Sequence, residues 1–304
     1  MSFDNTPLAG KAGIDESVPS RYAVQVGDID VMVISDGVLT PPAESMATNA
    51  DPAIRGAWLD ERLLAHDAFD WPLNAVVVRI GDQTILIDSG IGEEYPDFPR
   101  AGQLGHRLKA AGVDLAAVTD VVLTHMHFDH VGGLLVDGVK DQLRPDLRIH
   151  VSAAEAEFWK APDFSRTGMP PELAELARRA SLQFLDEYRS QLHTFDQESE
   201  VAPGIVVTRT GGHTPGHSVV RMASGGERLM FGGDAIFPVS FEHPEWHNGF
   251  EHDPEEATRV RLRLMRELAE TGSWLVSTHI PFPSVGRVAA HGDLFRWVPA
   301  WWDY

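Results

Sequence analysis

The sequence contains no cysteine. That excludes disulfides, thiol nucleophiles and thiolate metal ligands together, so any metal must be held by histidine and carboxylate side chains. Positive charge is scarce: 25 lysines and arginines stand against 45 aspartates and glutamates, a formal net charge of −20. Such a surface repels polyanions, which argues against nucleic acid and anionic membranes as partners. No apolar run approaches the roughly 20 residues that a membrane-spanning helix needs. The opening stretch MSFDNTPLAGKAGIDESVPS has neither a basic nor an apolar segment. No secretory signal is legible there, and a cytoplasmic location is expected. No repeat, low-complexity tract or GxSxG nucleophile turn is present.

What is present is ample core material. With 304 residues, 43 % of them hydrophobic, the chain can build one large domain. Residues 1–23, dominated by Pro, Gly, Ser and Asp, are read as an N-terminal arm, and 24–304 as a single domain. Short apolar runs mark strands over 29–35, 74–80, 84–88, 120–124, 148–152, 204–210, 218–223, 228–233 and 274–278. Helical patterns cover 103–112, 152–161, 171–192 and 254–272. The last of these is punctuated by Asp253 as cap, Pro254 in the first turn, Glu255 and Glu256 at the positive end of the dipole, and Gly272 at its close. Strands in hairpins first and helices interspersed later describe a layered α/β or α+β domain, not a regular doubly wound repeat.

The chemistry concentrates in LTHMHFDHVGG, residues 123–133. Here His125, His127, Asp129 and His130 follow directly on a strand, where a rigid sheet can hold them. His125 and His127 alternate and can reach one ion; Asp129 and His130 point differently and can reach a second. Three more positions have the same context: His213 and His217 in TGGHTPGHS, Asp234 in LMFGGDAIF and His279 in WLVSTHIPFP. Glycine pairs at 132–133, 211–212 and 232–233 permit tight turns or close approach to a metal.

This series, HxHxDH, GHTPGH, GD and a histidine at a strand end, resembles the metallo-β-lactamase superfamily of dinuclear metallohydrolases. From about residue 24 onward the chain looks like its methyl parathion hydrolase and dihydrocoumarin-lactonase branch. The segments that carry the likeness are WPLNAVVVRIGDQTILIDSGIG, LKAAGVDLAAVTDVVLTHMHFDHVGGL, AEAEFWKAPDF, VAPGIVVTRTGGHTPGHS and HIPFPSVGRVAAHGDLFRWVPAWW. The resemblance implies a four-layer αββα sandwich of the α+β class. It implies one metal on His125, His127 and His213, a second on Asp129, His130 and His279, and Asp234 bridging the two. Asp88, Thr214 and His217 would stand behind the ligands and orient them. Two divalent ions per chain are implied, Zn2+ first, with Mn2+, Co2+ or Fe2+ compatible with the same ligands.

The function so implied is lactone opening, on aryl or alkyl lactones including acyl-homoserine lactones, by a metal-bridging hydroxide. Metal coordination can lower the pKa of water from about 15.7 to about 7. Asp129 and Asp234 would be the catalytic carboxylates, Asp129 helping to move a proton. The alternative is hydrolysis of organophosphate triesters by the same hydroxide. Phe98, Trp159 and Phe282 fall where the branch has an aromatic cleft for a small, neutral, apolar substrate; Trp159 could equally be core. The branch also implies a homodimer. The further tract FEHPEWHNGFEHD, with His243, His247 and His252, is read as a solvated or hydrogen-bonded loop rather than another metal site. His66, His106, His193 and His291 are read as surface residues.

Overall fold

The computed structural model describes residues 18–92 and 98–302; the greater part of the expected N-terminal arm lies outside them. Fourteen strands form two seven-stranded sheets among the described residues. The first runs in spatial order from β1 to β7: Arg21–Val26, Ile29–Leu39, Trp71–Ile80, Gln83–Ile87, Asp120–Val122, Arg148–Ser152 and Leu192–Phe195. The second runs in spatial order from β14 back to β8. In chain order its strands are β8 (Glu198–Ala202), β9 (Ile205–Arg209), β10 (Ser218–Ser224), β11 (Glu227–Phe231), β12 (Trp274–Val276), β13 (Gly286–His291) and β14 (Leu294–Pro299). The helices are α1 (Pro52–Glu61), α2 (Leu104–Ala110), α3 (Phe128–Val131), α4 (Val139–Gln142), α5 (Ala153–Phe158), α6 (Pro171–Glu187) and α7 (Pro254–Thr271).

Alternation along the strands builds the layers. In β3, Ala75 and Val77 join a cluster shared with α2 and α6, while Val76 and Val78 join a cluster between the two sheets. In β11, Leu229 and Phe231 face that inter-sheet cluster, and Met230 faces the opposite way, against Val260, Leu264 and Leu268 of α7. Helix, sheet, sheet, helix: the expected αββα sandwich of the α+β class is the fold. Central strands are apolar on both faces because each side packs on a layer. This is why their continuous Val, Ile and Leu runs stand out in the sequence.

The strands that the apolar pattern does not reveal are β1, β7, β8, β13 and β14. Four of these are the outer edges of the two sheets, and β13 lies next to one. An edge is half exposed and carries polar residues, as in ESEVA of β8, so its periodicity is weak. β1 also begins at Arg21, so the last residues of the expected arm belong to the first sheet. The unforeseen α1 buries only Trp58 and Leu59 of its length, and Asp51 caps it by accepting from Ala53 N at 2.8 Å. In α7 the expected punctuation is present: Asp253 accepts from Glu256 N at 3.2 Å, and Gly272 adopts φ 65°. No helix of the described residues is long and apolar enough to cross a membrane.

Asp120, at the start of β5, fastens this strand to β6. It accepts from His150 Nε2 and from Arg148, each at 2.8 Å. Burial alone would raise its pKa, but the bonds from His150, Arg148 and Thr119 outweigh burial and hold it at about 2, against an ordinary 3.8. The ionised carboxylate therefore stabilises the fold fully above the ordinary value, and the contribution disappears as pH falls towards the folded-state value. Asp120→Asn is expected to be less stable than wild type at pH 7. Urea denaturation of the metal-free proteins should show that gap shrinking between about pH 4 and about pH 2; a pH-independent gap would contradict the assignment.

Candidate metal centre

The strands that carry the motifs end at one rim of the sandwich. His125, His127, Asp129 and His130 follow β5, His213 follows β9, Asp234 follows β11 and His279 follows β12. All seven are buried. They divide into two groups of convergent ligand atoms: His125, His127, His213 and Asp234 in one, Asp129, His130 and His279 in the other.

In the first group Nδ1 of His127 lies 2.9 Å from Nε2 of His125 and 3.0 Å from Nε2 of His213. Nitrogens each about 2.0–2.1 Å from one zinc ion would stand about 3.3 Å apart, close to this spacing. The Asp234 carboxylate lies between the groups. Its Oδ2 is 3.4 Å from His213 Nε2 and 3.0 Å from His279 Nε2, while Oδ1 is 3.3 Å from His130 Nε2. Asp129 Oδ2 is 3.6 Å from His130 Nε2 and 3.7 Å from His279 Nε2. Asp234 Oδ1 and His130 Nε2 are buried yet have no hydrogen-bond partner. Orphaned atoms of this kind are costly unless something else satisfies them, and a pair of divalent ions fits the donor set.

The electrostatics differ between the two groups. Burial pushes His125, His127 and His213 well below the usual imidazole range, and the neighbouring imidazoles reinforce it, so all three keep lone pairs free. Burial would lower His130 as well, but the carboxylates of Asp234, Asp129 and Asp88 overcome it and raise His130 well above the ordinary value. Burial raises Asp129. Asp234 is held well below the carboxylate range by His279, His130 and His125, against the effect of burial.

Asp88, His217 and Thr214, expected to orient the ligands, make the following contacts around the two groups. Asp88 accepts from Thr124 N and Thr124 Oγ1, and its Oδ2 pairs with His130 Nδ1, each at 2.8 Å. That ring is thereby turned so that Nε2 faces Asp234. Asp88 holds a left-handed φ of 56°, a strained backbone that these bonds stabilise. His217 accepts from Asp234 N at 3.0 Å and meets Thr210 Oγ1 at 2.8 Å. Burial lowers it to about 4, so it is neutral at neutral pH. Thr214 donates to Glu155 at 2.6 Å.

Glu155 carries no motif and was legible only as part of a helical run. It is fully buried and accepts four hydrogen bonds: from Met126 N at 2.9 Å, Trp159 Nε1 at 2.7 Å, Thr214 Oγ1 at 2.6 Å and Gly216 N at 3.0 Å. One carboxylate thus ties the His125–His130 loop to the His213–His217 loop. The pairs at 132–133 and 211–212 serve close approaches between backbones, whereas a Cβ on Gly233 would meet the side chains of His217 and Thr124 at 2.8 and 2.9 Å. A Cβ on Gly133 would lie 1.9 Å from Ser89 O, and one on Gly212, at φ 90°, 2.7 Å from Ala257 of α7.

Above the ligands opens a cavity of about 290 Å³, with His127, Asp129, His213, Asp234 and His279 in its floor. Its walls are mainly apolar and include Leu39, Trp71, Phe98, Met169, Leu173 and Phe250. Of the expected aromatic walls only Phe98 is here, stacked on Phe128 at 5.9 Å. Trp159 is fully buried behind His127, edge-on at 5.5 Å, because its Nε1 is drawn to Glu155. Phe282 faces a different cleft beside Trp58 and Trp302. Asn74 grips Thr278 O and Ile280 O, both at 2.8 Å, so the chain turns away from the cavity straight after His279. Two wall residues not foreseen, Trp71 and Asn248, carry buried N–H groups without a partner.

The tract from 243 to 252 is not uniformly solvated. His243 stacks on Trp246 at 3.9 Å, His247 is half-buried, and His252 is buried against His127. His66, His106, His193 and His291 are exposed, as expected.

Comparison with known proteins places this arrangement. The family model described as the metallo-beta-lactamase superfamily matches residues 69–279. A probable metallo-hydrolase of Mycobacterium tuberculosis is 26 % identical over 190 residues, covering 54 % of this chain and 56 % of the relative. An atrochrysone carboxyl ACP thioesterase of Passalora fulva is 32 % identical over 170 residues, covering 54 % of this chain and 38 % of the relative. The chain thus spans about half the length, or less, of these curated relatives. Among solved structures, the dizinc quorum-quenching lactonase AidC, with a product bound, superposes with TM-score 0.85 at 26 % identity, covering 94 % of this chain and 99 % of that one. The hydrolase AbOPH of the beta-lactamase superfamily gives TM-score 0.84 at 28 % identity, with the same two coverages.

Glu155→Ala is expected to leave four buried donors without an acceptor. At about 1–3 kcal/mol for each unsatisfied group, a loss of at least about 3 kcal/mol in the metal-free protein should appear in urea denaturation. A loss under about 1 kcal/mol would show that Glu155 does not join the two loops.

Proposed function

The chain belongs to the metallo-β-lactamase superfamily, and on that premise we propose that it is a dinuclear metal-dependent hydrolase that opens lactones. The observation that carries this reading is the division of seven buried ligands into two groups about the Asp234 carboxylate, beneath a largely apolar cavity. His125, His127 and His213 would hold one ion, Asp129, His130 and His279 the other, with Asp234 between them. When bound, such a pair supplies a nucleophile made from water at neutral pH and a Lewis acid for the carbonyl oxygen.

The protein's own residues do the rest. The walls around Phe98 and Phe250 exclude water and accept a neutral, apolar substrate, which strengthens every charge interaction at the floor. Asp129 lies in the floor, where a carboxylate oxygen not spent on an ion would be placed to hold a proton released in the reaction and return it to the leaving alkoxide. The lactonase with bound product among the structural neighbours supports the same substrate class.

The test pairs metal content with turnover of dihydrocoumarin, an N-acyl-homoserine lactone and a methyl paraoxon-type triester, in wild type and Asp234→Ala. The expected result is two metals per wild-type chain, lactone turnover dominant, and kcat/KM at least about 100-fold lower in the variant, the scale of losing one charge-stabilising group. Dominant triester turnover would replace the lactone reading with the organophosphate one. No turnover of any of the three would overturn the substrate class.

The cavity walls give a second test. Phe98→Ala is expected to raise KM for dihydrocoumarin about tenfold, the scale of one buried aromatic contact. Phe282→Ala, in the other cleft, should leave KM within about twofold. Equal effects of the two would show that the substrate does not sit in the cavity over the ligands.

A further inference from the structure

His252 lies outside both ligand groups, yet it is buried against one of them. Its Nε2 is 3.4 Å from Nε2 of His127, and the two rings lie at 28° to one another. His127 directs its other nitrogen, Nδ1, at Nε2 of His125 and of His213. If Nδ1 is the ligand atom, the proton of that neutral ring is on Nε2, and it points at His252. The remaining contact of His252 completes the assignment. Its Nδ1 faces the backbone carbonyl of Asp163 at 3.0 Å, and a carbonyl can only accept, so Nδ1 carries a proton. A neutral His252 then presents a bare lone pair at Nε2.

The ring is held for this role. Phe158, Phe164 and Trp159 surround it at centroid distances of 4.8, 5.3 and 6.0 Å. Its backbone N–H donates to His213 O at 2.8 Å, which couples its position to a second ligand loop.

We propose that His252 is a positioning residue for the metal centre: its Nε2 accepts the Nε2–H of His127 and so fixes the tautomer and the aim of that ligand. The proposal rests on reading His125, His127 and His213 as ligands. Partners of this kind behind a metal-bound imidazole typically contribute about 10- to 100-fold in metal affinity. The line of acceptors runs from the Asp163 carbonyl through His252 to His127, so the segment after α5 takes part in the centre although it supplies no ligand.

The test uses zinc affinity, measured by chelator competition, in wild type, His252→Phe and His252→Gln, with the absorption of the cobalt-substituted proteins alongside. His252→Phe keeps a ring in the aromatic cage but has no acceptor; His252→Gln restores an acceptor. The expected result is that His252→Phe weakens one of the two ions about 10- to 100-fold and alters the cobalt spectrum, and that His252→Gln recovers a large part of both. Nitrogen-detected histidine spectra of zinc-loaded wild type should show His127 protonated at Nε2 and His252 protonated at Nδ1 alone. This measurement decides the matter should His252→Phe fail to fold. Unchanged affinity in a folded His252→Phe, or a proton on Nε2 of His252, would overturn the proposal while two bound ions in wild type left the ligand reading standing. Wild type binding less than one ion would overturn both.

Discussion

The Asp234 carboxylate sits where both ligand groups meet, and much of the architecture serves to bring it there. Its two oxygens face imidazoles that arrive from both sheets: His130 from the end of β5, His213 and His279 from the ends of β9 and β12. A buried carboxylate is costly unless opposite charge or strong donors surround it. That requirement is met only if the two sheets stack with these strand ends at a common rim. The inter-sheet cluster of Val76, Val78, Phe231 and Val276 supplies the stacking. The metal centre is thus a consequence of sheet packing as much as of ligand chemistry.

Around that point the ligands are supported from behind. Asp88 turns His130, His217 holds the backbone of Asp234, and the Pro72 carbonyl accepts from His279 Nδ1 at 2.8 Å. Glu155 joins two ligand loops through four hydrogen bonds. Each support leaves one ring nitrogen or oxygen with only one direction to face. Pre-organisation of this kind spares a bound ion the entropy of ordering its own ligands. The cavity above the floor is the opposite case, mostly apolar and with few polar groups, a lining suited to a neutral, apolar occupant.

The central strands, α7 with its caps, and the ligand motifs were legible because each is a local pattern. Apolar residues at strand spacing, Asp253 ahead of Pro254, and histidines directly after a strand all declare themselves within a few residues. The edge strands β1, β8 and β14 were not legible, since a half-exposed edge has no strong period. Glu155 and His252 were hidden for another reason: Glu155 looks like any helical glutamate and His252 like one more polar residue of a loop. Trp159 and Phe282 show the same limit from the other side: Trp159 is pulled behind His127 by Glu155, and Phe282, close to His279 in sequence, is turned out by Asn74.

By itself, then, the sequence determined the layered α+β class, the superfamily and the seven convergent side chains, because these depend on residue type and short spacing. Only the tertiary structure decided which side chains surround those seven. It buried His252 against His127, joined two ligand loops through Glu155, placed Trp159 and Phe282 outside the cavity and put Trp71 and Asn248 in its lining. Those outcomes depend on hydrogen bonds and packing between segments tens to hundreds of residues apart, such as Asn74 with Ile280 or His127 with His252. No local pattern encodes such contacts, since they form only when the sheets and their loops have closed on one another.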